Sequence, residues 1–334
     1  MLQLLLSLSL AASPEVALLS SQGDIAELRF QPLGTAELTA PVARFTHGEG
    51  SSVQGTLLPH SRVVVASATM RSSGDLSFAS SLIRLESGKP ARVLADQLAY
   101  GSRPLVTAEG RVFVSRGVAG REPFDGHEAM RVDGLSIDEI DPGTGARRPV
   151  YATNGYVTFL AGSLGRELII YEVSPAGARL ISVHVDTFAV REIVPAMVPL
   201  ARDFVVDAAR RRVLFTQGTP GGDRWFVEEV DLITGASVHV AEGPEVTLLP
   251  TLLADGRVLI SGGAGEGLRA LDGTRVIAAQ GPGFERIRAQ RKGLVIGLHE
   301  QPGEFPTIFA SKDGKPVVCA APVDSRLDVA GVTP

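Results

Sequence analysis

The feature that most constrains this chain is a repeat. A polar turn, a short run of β-branched and apolar residues, a loop, a second strand closing on an Asp/Thr/Gly corner, and a third strand recur along its 334 residues. In one copy Ala108-Glu109-Gly110-Arg111 precedes Val112-Phe113-Val114-Ser115, and the strand at 135–140 closes on Asp141-Pro142-Gly143-Thr144-Gly145. In another, the Arg-rich turn at 207–212 precedes Val213-Leu214-Phe215-Thr216, and the strand at 226–230 closes on Asp231-Leu232-Ile233-Thr234-Gly235. A third runs from Asp255-Gly256-Arg257 through Val258-Leu259-Ile260-Ser261 to Leu271-Asp272-Gly273-Thr274. Weaker copies pair 61–66 with 81–89, 165–173 with 180–187, and 292–298 with 307–314, and residues 16–38 read as a degenerate copy. The spacing in mid-chain is about 45 residues, the length of one four-stranded unit in ring-shaped repeat proteins.

Elementary physics turns that repeat into a fold. A four-stranded antiparallel unit is too small to bury both its faces, so it must stack on neighbours, and closing the stack into a ring protects the edges. The corners suit this role, because Pro presets φ and Gly accepts positive φ. With 37 Gly and 21 Pro in short clusters, 44% hydrophobic and 21% charged residues, the composition supports many short strands around a large core. No segment keeps a 3.6-residue apolar period over three turns. The expectation is an all-β fold, a β-propeller over residues 14–334, with seven four-stranded blades or, alternatively, six.

Other features bound the setting. Residues 1–12 (MLQLLLSLSLAA) carry an apolar run followed by the small-x-small pattern Ser9-Leu10-Ala11, expected of a signal peptide, although no basic segment precedes the run. The run is too short to span a bilayer, which needs roughly 20 residues. A periplasmic or secreted location follows from that reading. The net charge of −5 argues against a nucleic-acid partner, which needs a basic patch. A single cysteine, Cys319, excludes an internal disulfide and a thiol cluster for metal.

Two families resemble parts of the chain. Residues 250–263 (PTLLADGRVLISGG) look like one kelch-type repeat; the other units lack its glycine pair and spaced aromatics. Across the whole chain, Asp-Gly or Arg-rich turns before Val-Leu-Phe runs, followed by Asp-x-x-Thr-Gly corners, resemble the TolB-like propellers of bacterial envelopes, although few units carry the Ser-Pro-Asp-Gly signature. That resemblance implies an exported binding or scaffold propeller rather than a particular reaction.

Strand order puts the polar turns and Thr-Gly corners on one face, and the loops after each second strand and between units on the other. Loops converging on a rigid scaffold are where binding resides, so candidate residues are sought on the second face. The segment 116–133 (RGVAGREPFDGHEAMRVD) is read as a long loop carrying Arg121, Asp125, His127, Glu128 and Arg131. It suits a lid or binding loop; as a metal site it lacks a second histidine cluster. Asp223, Arg224 and Trp225 place the one tryptophan beside two charges, where it can stack on a ligand or fill the core. His299 and Glu300 lie on the same face, and His299 with His47 is weighed as an acid–base pair. His184 and His239 fall within strands and read as structural.

Several catalytic signatures are missing. Ala161-Gly162-Ser163-Leu164-Gly165 has Ala where a nucleophile elbow needs Gly, and His127-Glu128 is followed by Arg131 where a zinc motif needs His. No catalytic residue, metal or cofactor is assigned. The expected function is a non-catalytic binding or scaffold module, a monomer with a protein or peptide partner and no membrane span. The alternative is a hydrolase or lyase acting on a sugar or lactone, with or without a metal.

Overall fold

The structure is a computed structural model that describes residues 14–333, apart from 49–50, 52, 71–78, 100–101, 125–126, 200, 220–223, 244–247, 262–264 and 279. The expected leader at 1–12 lies outside the described residues. Every regular element described is a β-strand. Among the described residues no helix is long and apolar enough to cross a membrane.

The strands form five four-stranded sheets and one eight-stranded sheet. The larger sheet divides into two runs of four, joined where Leu98 pairs with Arg116. The described strands therefore fall into seven groups, numbered I to VII. Their first strands are Arg326–Val332 (I), Val53–Leu57 (II), Leu105–Val106 (III), Val157–Leu164 (IV), Arg202–Asp207 (V), Pro250–Leu252 (VI) and Phe284–Arg291 (VII). Group I takes its first strand from the C-terminal end of the chain and the other three from Glu15–Gln22, Ile25–Pro32 and Ala43–Thr46. Arg326–Val332 packs beside both Val53–Leu57 and Phe284–Arg291, so the first strands ring a central channel.

The core explains why the groups stack. The second strand of each group is apolar at successive positions, and its two faces feed two different layers. Leu19 packs with Val64 and Ala66 between groups I and II, whereas Leu18 packs with Ile296 and Leu298 between groups I and VII. Phe215 joins Ile169 and Tyr171 between groups IV and V, whereas Leu214 joins Val258 and Ile260 between V and VI. The remaining layers are built alike, II against III, III against IV and VI against VII. Seven apolar layers thus close the ring. A strand buried on both faces needs a continuous apolar run rather than alternation, which is why Val63-Val64-Val65 and Leu168-Ile169-Ile170 read as they do. Truncating one of these side chains to Ala costs about 2–5 kcal/mol.

The corners repeat one hydrogen-bond pattern. Asp141 Oδ1 accepts from Gly143 N (2.8 Å), Thr144 N (2.6 Å) and Thr144 Oγ1 (2.9 Å), and Gly145 follows at φ +81°. Asp231 does the same with Ile233 N, Thr234 N and Thr234 Oγ1, before Gly235 at φ +74°. These amide bonds hold both carboxyls below the usual carboxylate range.

The segment expected to be a long loop is instead mostly strand. Val112–Phe124 and His127–Ile140 pair without a break in direction from Val112↔Ile140 to Phe124↔His127. Antiparallel pairing runs along the described part of the excursion on both sides of a bulge between Val132 and Gly134, so its length extends a hairpin rather than an irregular loop.

Candidate functional site in the central channel

At the loop-face end of the channel, charged side chains from groups I, V and VII and from the linker before group III converge. Asp328, on the first strand of group I, is buried; its Oδ2 accepts from Gly55 N of group II at 2.9 Å. Its Oδ1 pairs with Arg103, which enters from the linker before group III and also donates to the Gly55 carbonyl. Across the channel Arg286 of group VII donates to Asp203 of group V at 3.0 Å. Glu300 closes the second strand of group VII and faces Arg286 Nε at 3.4 Å and Arg288 at 3.6 Å. Arg202 lies 3.2 Å from Asp203 and stacks its guanidinium over the Trp225 ring, 4.7 Å from the centroid.

Local backbone puts these groups where they are. Along Phe284–Arg291, Ile287 belongs to the apolar layer against group VI and Ala289 to the one against group I, so Arg286 and Arg288 are left to the channel. The register slips between Ile287 and Ala289, which makes Arg288 the extra residue of a β-bulge. A second slip lies between Arg202 and Val205, and there Asp203 adopts φ +54°. Bulges re-aim side chains and cluster at functional sites, and Asp tolerates the left-handed region better than most residues.

The electrostatics are those of a cationic cluster held in check. Arg103, Arg202, Arg286 and Arg288 meet Asp203, Glu300 and Asp328, four positive charges against three negative. Arg288 is the perturbed member. Desolvation, then repulsion from Arg103, lowers its pKa to about 10 against the opposing pull of Asp328 and Glu300. It remains charged at neutral pH. It also keeps 22% of its side-chain surface accessible, as a group deep in a channel open to solvent would.

Next to the cluster a cavity of about 680 Å³ opens on the loop face, lined by Phe284, Pro302, Phe305, Pro306 and Leu327, with Glu300, Glu304 and Arg326 in its wall. Phe284 and Arg326 stand two residues before Arg286 and Asp328 on their strands, so the cavity and the cluster share two neighbouring walls. Phe305 is half exposed. On the opposite wall Val157 and Phe159, alternating on the first strand of group IV, are also exposed. A further cavity, about 570 Å³, lies between groups III and IV on the corner face, lined by Arg111, Glu139, Arg148, Arg166 and Asp186. Its charges are paired, Arg111 with Glu139 at 2.7 Å and Arg166 with Asp186 at 2.9 Å. The corner motifs alone give no sign of this concavity.

The residues expected from sequence fare unevenly. Glu300 belongs to the channel cluster, and Trp225 touches it through Arg202. His299 is buried one residue away, where its Nδ1 meets Glu285 Oε1 at 3.1 Å. His47 does not join it: its Nδ1 lies 2.7 Å from the Gly48 carbonyl and 2.9 Å from Ser51 Oγ. The two histidines have separate partners and form no acid–base pair. Arg224 is exposed and paired with Glu242 at 2.6 Å. Arg121, His127, Glu128 and Arg131 lie on the two strands of the long hairpin, with side chains outside the described residues, as Asp125 and Asp223 are altogether. Among the described residues no three His, Cys, Asp or Glu side chains gather as a metal site. Sequence reading missed Arg103, Arg202, Arg286, Arg288, Asp203 and Asp328. The spacing Arg286-Ile287-Arg288, two cations flanking an apolar residue on a strand, is the one signal that marked them.

No protein-family profile matches the sequence, and no curated protein does. Solved structures are similar in fold. A prolyl endopeptidase is 15% identical, with 94% of this chain and 50% of that chain covered and a TM-score of 0.56. An oligogalacturonate lyase in complex with manganese is 13% identical, with 83% and 79% covered and a TM-score of 0.52. TolB from Acinetobacter baumannii is also among the neighbours, at 10% identity, with 96% and 67% covered and a TM-score of 0.49. The closed ring of apolar layers and these likenesses together make the chain an all-β propeller.

Proposed function

We propose that this propeller is an exported, non-catalytic binding module that receives a protein or peptide partner on its loop face, over the mouth of the channel. The observation that carries the reading is the character of that mouth. A largely apolar cavity with a half-exposed Phe305 adjoins, through Glu300 in its wall, a set of arginines held by carboxylates. Among the described residues the charged cluster is made of Arg, Asp and Glu, groups suited to recognition by charge and planar hydrogen bonding. An apolar anchor beside a fixed charge is the usual centre of a peptide-binding surface.

The test is a selection of random peptides on the full chain, followed by binding measurements on Phe305→Ala and on Arg111→Ala, the latter at the corner-face cavity. The reading expects enriched peptides that lose affinity on Phe305→Ala, keep it on Arg111→Ala, and are recovered intact by mass spectrometry. Selection mapping to the corner face, no enrichment, or cleavage of the bound peptide would overturn it. Export is tested by the mass of the mature chain, expected to lack the leader at 1–12.

A further inference from the structure

We propose that Arg288 is the receptor for a ligand carboxylate, so that the channel mouth recognises an apolar group joined to a carboxylate, as at the C-terminus of a peptide. The inference rests on the binding reading above and adds the chemistry of what is bound.

Among the arginines of the cluster, Arg288 differs in its bonding. Arg103 donates to Asp328 and Gly55, Arg286 donates to Asp203, and Arg202 lies against Trp225 and Asp203. Arg288 has five N–H donors in a planar fork, yet its nearest carboxylate oxygens stand 3.6 Å away on Glu300 and 3.8 Å away on Asp328. Both lie beyond hydrogen-bonding distance. Its Nε is buried and meets no acceptor within reach among the described residues; Arg286 Nε shares that state, but the Arg286 guanidinium is anchored by its bond to Asp203. A buried donor left in that state is costly, and the bulge at 287–289 holds it there rather than letting the strand turn it to solvent. A ligand oxygen pair set against the Nε edge would relieve that cost.

The surroundings select the ligand's charge and shape. Among the described residues the cluster carries one net positive charge, four arginines against three carboxylates, which a monoanion neutralises. A dianion would stand close to Glu300 and Asp328, which flank Arg288, and would be repelled by both. The Arg fork matches a planar carboxylate in two parallel bonds. Phe284, which precedes Arg286 by one strand repeat, Phe305 and Leu327 line the adjoining cavity together with Arg326 and with Glu300, the carboxylate that faces Arg288, and offer apolar surface for an aromatic or aliphatic side chain.

The experiment titrates the full chain with N-acetylphenylalanine, with N-acetylphenylalanine amide, with an N-acetylated, C-terminally amidated peptide containing one internal Asp, and with inorganic phosphate, by calorimetry. The acid is expected to bind at least about tenfold more tightly than its amide and than phosphate, the worth of one charge-assisted pair. The Asp peptide separates a side-chain carboxylate from a chain terminus: binding as tight as the acid's would overturn the terminus assignment. Arg288→Met should remove the preference for acid over amide, Arg288→Lys should retain part of it, and Arg166→Met, on the corner face, should leave it intact. Should Arg288→Met fail to fold, Glu300→Gln supplies an independent readout: removing a competing carboxylate should tighten the acid several-fold. Equal binding of acid and amide, stronger binding of phosphate, or weaker binding of the acid to Glu300→Gln would overturn the proposal. Success of the peptide selection with failure here removes the carboxylate site and leaves the binding reading. The reverse result keeps the site and removes the peptide partner.

Discussion

Arg286 donates to Asp203 at 3.0 Å and thereby ties group VII to group V across the channel, without passing through group VI between them. The two side chains keep 27% and 17% of their surface, so the bridge is neither a fully buried pair nor a surface one. Breaking a fully buried pair costs about 3–5 kcal/mol; partial solvation brings the expected loss for Asp203→Ala to about 1–3 kcal/mol. Asp203 also holds a left-handed backbone that Asn tolerates and Ala does not. Asp203→Asn should therefore be milder than Asp203→Ala. Urea unfolding at constant m-value measures both, and equal midpoints for wild type and Asp203→Ala would show that the bridge does not hold the ring.

The corner glycines separate two costs that are usually confounded. Gly273 sits at φ +84° with no heavy atom within 4 Å of the place a Cβ would take, so Gly273→Ala meets backbone strain alone. That strain is worth about 1–2 kcal/mol. Gly235 sits at φ +74°, and a Cβ there would stand 2.3 Å from the Ile193 carbonyl oxygen of the neighbouring group. Gly235→Ala adds a backbone clash between groups IV and V to the same strain. Thermal unfolding should place Gly235→Ala well below Gly273→Ala; similar midpoints would mean that the corner does not press on group IV.

The corner aspartates predict an acid limit. The Thr144 and Thr234 amides lead the interactions that hold the Asp141 and Asp231 carboxyls below their ordinary range. A carboxyl with a lowered folded pKa contributes stability above its unfolded pKa, near about 4, and loses it as pH falls through the folded value. The double variant Asp141→Asn, Asp231→Asn should be less stable than wild type at pH 7, and the difference should shrink as pH drops below about 4. Melting curves from neutral pH down into the acid range test this, and a difference that is constant with pH would assign the effect to shape rather than charge.

How much of this was legible in the sequence depends on which physics writes the signal. The corners were readable because each needs a local set, Asp231 with Thr234 and Gly235, whose bonds close within five residues. The stacking was readable because runs such as Val63-Val64-Val65 only make sense buried on both faces. The channel cluster was not, because Arg103 and Asp328 are 225 residues apart and meet only when the ring closes. His47 and His299 misled for the converse reason: each is a plausible acid–base group alone, and each has its Nδ1 engaged by a separate neighbour, Ser51 or Glu285. The segment 116–133 misled because length outside a recognised strand reads as loop, whereas cross-strand pairing is invisible along a single chain.

Cys319 carries the last prediction. It is the only cysteine in the chain, and its thiol is part-buried against the apolar layer between groups VII and I. Burial pushes its pKa up to about 11 from an ordinary 9. The thiolate is the reacting form, and at about pH 8 a rise of that size lowers its fraction roughly a hundredfold. A folded pKa above the unfolded one also means that the neutral thiol stabilises the fold, and that this contribution fades as pH rises between the two values. An aromatic disulfide reagent at about pH 8 should therefore label native protein far more slowly than urea-unfolded protein, and the native rate should keep rising up to about pH 11. Equal rates in the two states would show that the layer between groups VII and I is open to solvent at Cys319, and with it the seam where the two ends of the chain close the ring.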